Sequence, residues 1–136
     1  MVLARKPLGK PIQLSEIAAA AKVPPSFLAK IFQKLNHAQI VISSRGAVRG
    51  YALAHQPDAI AISAVFAAVE GGDVFDRCMF WSDRCTDGNP CRIHSDWVRI
   101  RESILRLMQQ TTLSDLVRKP YRKPNKARQQ SRGGTP

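Results

Sequence analysis

Three cysteines and a histidine lie close together in the segment 78–94, and together they have the chemistry of a metal site. Cys78, Cys85, Cys91 and His94 follow the spacing Cys-x6-Cys-x5-Cys-x2-His. Thiolates, with imidazole as the usual alternative, are the ligands of tetrahedral zinc and of iron–sulfur clusters. The turn-forming residues at 86–90 allow the backbone to wrap around an ion. The pattern predicts a metal or cluster site, with disulfides or buried free thiols as the alternatives.

The rest of the chain indicates a reducing compartment. No run approaches the roughly 18 apolar residues of a membrane span, and the N-terminus does not resemble a signal peptide. We therefore expect a cytoplasmic protein with no membrane partner. Three cysteines, an odd number, in such a compartment favour metal ligation or redox sensing over a disulfide framework.

The formal charge of +11 is unevenly distributed along the 136 residues. Residues 1–58 carry +6, residues 59–117 carry −2, and residues 118–136 carry +7. A basic N-terminal half and a basic tail around an acidic middle are expected if one half faces a polyanion. Solubility alone would explain a charged surface, but it would not explain this segregation.

Two short helices are predicted in the basic half. Apolar residues at helical spacing indicate a first helix over 15–22 with Ser15 as N-cap, and Pro25 suits the first turn of a second helix that runs to about His37. Its polar outer face is expected to carry Ser26, Lys30, Gln33 and Lys34. The pair is either a helix-turn-helix or an ordinary helical hairpin.

The next segment favours the helix-turn-helix. Residues 40–43 are rich in β-branched side chains, residues 44–50 form a basic, glycine-bearing turn, and residues 51–54 return as a second strand. A hairpin directly after a helix-turn-helix is a wing, and Arg45 and Arg49 at its tip are suited to the minor groove or to phosphates. DNA binding is therefore the leading interpretation.

The second half begins with a helix predicted over 64–70, capped by Ser63 and ended by Gly71-Gly72. A longer amphipathic helix is predicted over 95–110, followed by a short turn at 111–116. Its apolar stripe is expected to pair with the same helix of a second subunit, although packing on its own domain is the alternative. From residue 118 the chain is basic and interrupted by prolines, so we expect disorder.

The predicted fold is mainly α with a small β-hairpin: a winged helix-turn-helix plus a long dimerisation helix. Four regions follow from this prediction. They are a DNA-binding domain over 1–72, a cluster-binding loop over 73–94, a dimerisation helix over 95–117 and a disordered basic tail over 118–136.

In this order of elements, the chain resembles the IscR/NsrR type of iron–sulfur transcriptional regulators, the Rrf family, from about Leu3 to Leu116. The matching stretches are Leu14–Ala18, Pro25–Leu35, Ser44–Gly46 with Gly50–Tyr51, Ala68–Gly71, and Cys91-x2-His94-x2-Trp97. The resemblance implies a homodimeric regulator, a repressor or an activator, that binds a palindromic operator in double-stranded DNA. Its cluster would sense cluster supply, iron, oxidants or nitric oxide.

The resemblance also suggests residue roles. It implies a [2Fe-2S] cluster held by Cys78, Cys85, Cys91 and His94, whose loss would release the loop before the dimer helix and change the spacing of the two recognition helices. The stretches that match the family add Phe27 and Ser44 to the predicted DNA contacts. That set is Ser26, Phe27, Lys30, Gln33, Lys34, Ser44, Arg45 and Arg49.

Three departures from the family pattern are visible. Members usually begin with a full helix before the segment at Leu14, whereas here only residues 1–4 represent its end, so most of that helix is expected to be missing. In some members that helix offers a carboxylate to the partner subunit's cluster, which leaves His94 as the best fourth ligand here. Arg49 replaces the first of two wing glycines, and Ala29 stands where some members have an acidic residue that tunes base preference.

Other readings of the same residues remain. The three cysteines and His94 also suit a structural Zn²⁺ ion, which is the second interpretation, and a [4Fe-4S] cluster is a further alternative. An iron–sulfur electron-transfer or assembly protein would use the basic half to dock an acidic partner. An enzyme is not expected, because no nucleophile–base pair and no phosphate-binding glycine loop is present.

Overall fold

The computed structural model describes residues 2–46, 48–73, 76 and 86–118. Over these residues the chain is mainly helical with one two-stranded antiparallel hairpin, as the sequence predicts. A 3₁₀ turn at Leu3–Arg5 comes first. The remaining elements are α1 (Leu14–Ala21), α2 (Pro25–His37), β1 (Val41–Ser44), β2 (Gly50–Leu53), α3 (Ile62–Glu70), α4 (His94–Gln110) and α5 (Leu113–Arg118).

Helices α1 and α2 form the predicted helix pair. The prediction of Ser15 as N-cap is wrong, because α1 begins directly after the extended residue Gln13, with no side-chain cap bond. The helix ends at Ala21 and is capped by Lys22, whose φ of 56° is left-handed and whose N–H donates to the Ala18 and Ala19 carbonyls. Pro25 then occupies the first turn of α2, where a missing N–H costs nothing. The chain thus turns sharply between the two helices.

The wing is attached to the segment that precedes α1. Strands β1 and β2 pair from Val41 opposite Leu53 to Ser44 opposite Gly50. On the other side of β2, Ile12 and Tyr51 exchange two backbone hydrogen bonds of 2.9 Å. This close approach requires a glycine beside Tyr51, since a Cβ on Gly50 would lie 2.3 Å from the Ile12 carbonyl oxygen.

The core lies between the helix pair and the wing. The Phe32 and Tyr51 rings meet edge to face, with centroids 4.8 Å apart. Half-buried side chains of Val2, Leu3 and Ala4 pack against the core. The buried apolar residues of the cluster are Ile12, Ile17, Ala18, Leu28, Phe32, Leu35, Ile40, Val41, Leu53 and Ile60.

Helix α3 lies between α2 and α4 and contacts both. The prediction of Ser63 as its cap is wrong: α3 begins at Ile62, whose N–H donates to the Thr111 carbonyl at 2.9 Å. The Leu113 N–H in turn donates to the Ile60 carbonyl at 3.0 Å. The two bonds fix the segment after α4 to the start of α3.

The C-terminal part of the described chain differs from the predicted short turn. Residues 113–118 form α5, which contacts the 3₁₀ turn near the N-terminus. Thr112 and Asp115 cap this helix reciprocally: the Asp115 carboxylate accepts from the Thr112 N–H at 2.9 Å, and the Asp115 N–H donates to the Thr112 hydroxyl at 3.2 Å. Of the predicted disordered tail, only Arg118 lies within the described residues.

Candidate nucleic-acid interface and metal centre

The outer face of α2 is exposed. Ser26, Lys30 and Gln33 are exposed there, while Leu28 and Phe32, on the inner face, are buried in the core. Phe27, in the first turn of the helix, is 56% exposed. A helix that is anchored on one side and polar and basic on the other has the form required to enter a major groove.

Lys34 makes an intramolecular contact that its sequence position does not indicate. Its Nζ donates a hydrogen bond of 2.6 Å to the main-chain carbonyl of Val69. Val69 lies in the last turn of α3, where carbonyl groups lack helical partners. The ammonium group therefore links α2 to α3, and a contact with DNA would compete with this bond.

The wing presents its basic residues to solvent. Arg45 and Arg49 are exposed, and Ser44 is half-buried. Val48, between the arginines, is 53% exposed. An open groove separates the wing from the start of α1, and it is lined by Gln13, Leu14, Ser15, Ser43, Ser44, Gly46, Arg49, Gly50 and Tyr51. The serine hydroxyls and the Arg49 guanidinium in this groove are groups of the kind that contact DNA phosphates.

Two of the four predicted metal ligands lie in the turn that leads into α4 and at its first residue. The His94 N–H donates to the Cys91 carbonyl at 3.0 Å, so a single turn brings these residues together. Cys91 is a half-buried free thiol, and His94 is 8% exposed. Cys78 and Cys85 lie outside the described residues. Within the ranges that the structure describes, no group of three His, Cys, Asp or Glu residues is arranged as a metal site.

Asp87 contacts His94, a contact that the sequence does not predict. Its Oδ1 lies 2.8 Å from His94 Nε2. Metal-ligating histidines typically donate a ring N–H to a carboxylate, which fixes the tautomer and the orientation of the ring. Residue spacing gives no signal for this pair, because the turn between the two residues decides whether they meet.

Trp97 is a second residue near the predicted centre with a feature that the sequence does not reveal. Its indole Nε1 is buried and has no hydrogen-bond partner among the described residues. Periodicity identifies Trp97 only as one apolar position of an amphipathic helix.

Helix α4 leaves apolar side chains exposed along one side. Ile100 and Leu107 are 53% and 65% exposed, and both line a shallow groove with Asp96, Arg99, Ser103 and Ile104. Arg99 is ion-paired with Asp96 at this groove. In the described part of the chain, no helix has the length and apolar character needed to cross a membrane.

Comparison with known proteins agrees with this architecture. The family model Rrf2, described as an iron-dependent transcriptional regulator, matches residues 1–119. An HTH-type transcriptional regulator of Aquifex aeolicus is 30% identical over 108 residues, which cover 78% of this chain and 75% of that protein. The regulator IscR of Yersinia pseudotuberculosis is 33% identical over 107 residues, covering 79% of this chain but 65% of the relative.

Solved structures give the same result. CymR, the global cysteine regulator of B. subtilis, superposes with a TM-score of 0.70 at 30% identity. The superposition covers 86% of this chain and 85% of the CymR chain. T. potens IscR superposes with a TM-score of 0.63 at 26% identity. This superposition covers 79% of this chain and 69% of the IscR chain. The chain thus belongs to the Rrf2 family and is a winged-helix, DNA-binding transcriptional regulator rather than an enzyme.

Proposed function

We propose that this regulator binds a palindromic operator as a homodimer and that an iron–sulfur cluster controls its binding. The observation that carries the cluster proposal is the turn at the start of α4, where Cys91 and buried His94 come together beside Asp87. The description of the family as iron-dependent, and the relatives and structural neighbour named IscR, support the same assignment.

The DNA contacts are assigned to α2 and the wing. Ser26, Phe27, Lys30 and Gln33 are exposed on the recognition helix, and we assign them to the major groove. Ser44, Arg45 and Arg49 in the wing are assigned to phosphates or to the minor groove. The +6 charge of residues 1–58, against −2 over 59–117, supports this orientation of the molecule on DNA.

The dimer contact is assigned to the groove on α4. Ile100 and Leu107 are exposed there, although apolar side chains of this size are usually covered. Two copies of the groove, related by a two-fold axis, would bury both residues and pair Asp96 and Arg99 at the rim. A two-fold dimer of winged helices presents two recognition helices to a palindrome.

The described residues fit a cluster with a histidine ligand. Cys91 supplies a thiol, and His94 supplies an imidazole that Asp87 orients. With Cys78 and Cys85 they form a set of three thiolates and one imidazole, which suits a [2Fe-2S] cluster. When bound, such a cluster supplies reversible one-electron chemistry and lability towards oxidants.

The fold suggests how events at this centre reach the DNA. Segment 71–93 joins the end of α3 to the start of α4, so the predicted ligands lie on this connection or at the first residue of α4. Helix α3 contacts α2 as well as α4, and the Lys34–Val69 bond fixes α2 to the end of α3. A change in the conformation of this segment would therefore act on the recognition helix through α3. It would act on the partner subunit through α4.

Selection from a random double-stranded DNA library under anaerobic conditions tests the proposal. We expect enrichment of a palindrome, a stoichiometry of two chains per site, and an affinity that changes after the iron is removed. The matched cluster-deficient variant is Cys91→Ser. Binding that shows no sequence preference would contradict the assigned interface, and equal affinity with and without iron would contradict cluster control.

Zinc is the second candidate for the same residues, because three cysteines and one histidine also suit a structural Zn²⁺ ion. Metal analysis of the purified protein separates the two. Stoichiometric zinc without sulfide would assign a structural role to the centre.

A further inference from the structure

Phe27 presents an apolar ring to solvent at the start of the recognition helix. It lies in the first turn of α2, which begins at Pro25, and its side chain is 56% exposed. In a helix-turn-helix, residues at the N-terminal end of the recognition helix contact base edges. Phe27 therefore lies in the part of α2 that reads sequence, and the chemistry of its ring determines which base group it contacts.

The backbone that carries Phe27 is fixed to the rest of the domain. The neighbouring Leu28 is 8% exposed and belongs to the core, and its N–H donates to the Pro24 carbonyl at 3.1 Å. Pro24 and Pro25 restrict φ where the helix begins. Because the first turn is already ordered while the ring of Phe27 is in solvent, a contact between this ring and DNA requires little ordering of the backbone.

The C5-methyl of thymine is the apolar group that base pairs present in the major groove, and phenylalanine is among the side chains that contact it. Cytosine at the same position would direct its N4 amino donor towards the ring. A carboxylate is the side-chain group that accepts from this donor. Helix α2, with the sequence PSFLAKIFQKLNH, contains no Asp or Glu. The helix therefore favours thymine over cytosine beside Phe27.

We propose that the Phe27 ring contacts the C5-methyl group of a thymine in each half of the operator and that this contact selects thymine over cytosine there. This inference rests on the proposed function, since it requires α2 to lie in the major groove. Phe27 is then a specificity-determining residue. A side chain that contacts only phosphate or sugar would instead support binding to all sequences equally.

Base analogues in the palindrome selected by the wild type test this contact. Each thymine of the half-site is replaced in turn, symmetrically in both halves, by deoxyuridine, which lacks only the methyl group. Affinities are measured by fluorescence anisotropy for the full-length wild type, Phe27→Ala and Phe27→Leu. Lys30→Ala is the matched control, because it removes another exposed side chain about one turn along the same helix. Thermal unfolding verifies that each variant is folded, as expected for positions outside the core.

We expect one thymine position at which deoxyuridine weakens binding by the wild type about fourfold for each half-site, the effect of removing one methyl group from contact. Lys30→Ala should show the same sensitivity, Phe27→Leu should keep part of it, and Phe27→Ala should show none. Cytosine at this position should bind the wild type more weakly than deoxyuridine. 5-Methylcytosine should recover part of the affinity for the wild type but not for Phe27→Ala.

The outcomes separate this inference from the proposed function. A selected palindrome in which no deoxyuridine substitution weakens binding by the wild type would overturn the role of Phe27 and leave the operator assignment intact. Equal sensitivity of the wild type and Phe27→Ala would overturn it also, because the methyl group would then act through another residue or through DNA shape. A selection that yields no preferred sequence overturns both.

Discussion

Lys34 and Val69 join the recognition helix to α3, with Lys34 Nζ 2.6 Å from the Val69 carbonyl oxygen. Lys30, one turn earlier, is exposed on the outer face of the same helix. Lys30→Gln should reduce the slope of log affinity against log salt by about 0.9, as expected for one lost phosphate contact. Lys34→Gln should leave the slope unchanged and lower the thermal unfolding midpoint. Equal reductions in slope for the two variants would contradict these assignments.

Position 50 is predicted not to tolerate a side chain, because a Cβ atom added to Gly50 would lie 2.3 Å from the Ile12 carbonyl oxygen. Gly50→Ala should lower the free energy of unfolding by about 1–3 kcal/mol, the usual cost of overpacking, as measured by urea denaturation. Gly46→Ala in the same wing is the matched control, since its Cβ would meet Ser44 Oγ at 3.9 Å, an ordinary contact. Similar losses for both variants would refute the role of the Ile12–Tyr51 pairing.

Asp87 is predicted to stabilise the cluster through His94. Asp87→Ala removes the carboxylate that lies 2.8 Å from His94 Nε2, so bleaching of the visible absorption in air should be roughly tenfold faster. Asp96→Ala makes the same charge change on the first turn of α4, where Asp96 pairs with Arg99 rather than with His94. If Asp96→Ala bleaches as fast as Asp87→Ala, charge rather than orientation of His94 controls cluster loss.

The exposed stripe of α4 is predicted to form the dimer contact. Leu107→Asp places a carboxylate in the apolar groove and should convert dimers to monomers at micromolar concentration, as measured by sedimentation velocity. Gln109→Asp adds the same side chain at an exposed position outside the residues that line this groove. A Leu107→Asp protein that remains dimeric would show that α4 is not the contact.

Local signals in the sequence predict most of the fold. The bounds of α2 and of the hairpin agree with prediction to within about a residue, because Pro25 and the β-branched run act over short distances along the chain. The helix caps could not be predicted in the same way. The start of α3 depends on a hydrogen bond from Ile62 to Thr111, far along the chain, and Ser63 consequently lies inside the helix.

The sequence predicts the ligands of the candidate centre but not the residues that surround them. Residue types and spacing identify Cys91 and His94, and the assignment of Cys78 and Cys85 stays a prediction because they lie outside the described residues. The contact of Asp87 with His94 and the burial of Trp97 Nε1 depend on how the turn and α4 pack. Hydropathy carries no information about a hydrogen-bond partner, so these features emerge only in three dimensions.

The most direct test of cluster control is the iron and acid-labile sulfide content of the anaerobically purified chain. If the protein holds a [2Fe-2S] cluster, we expect equal amounts of iron and sulfide and a visible absorption. All three should be lost in Cys91→Ser, and most of the absorption should be lost in His94→Ala. Zinc without sulfide, or a colourless protein that takes up neither iron nor sulfide during anaerobic reconstitution, would contradict cluster control.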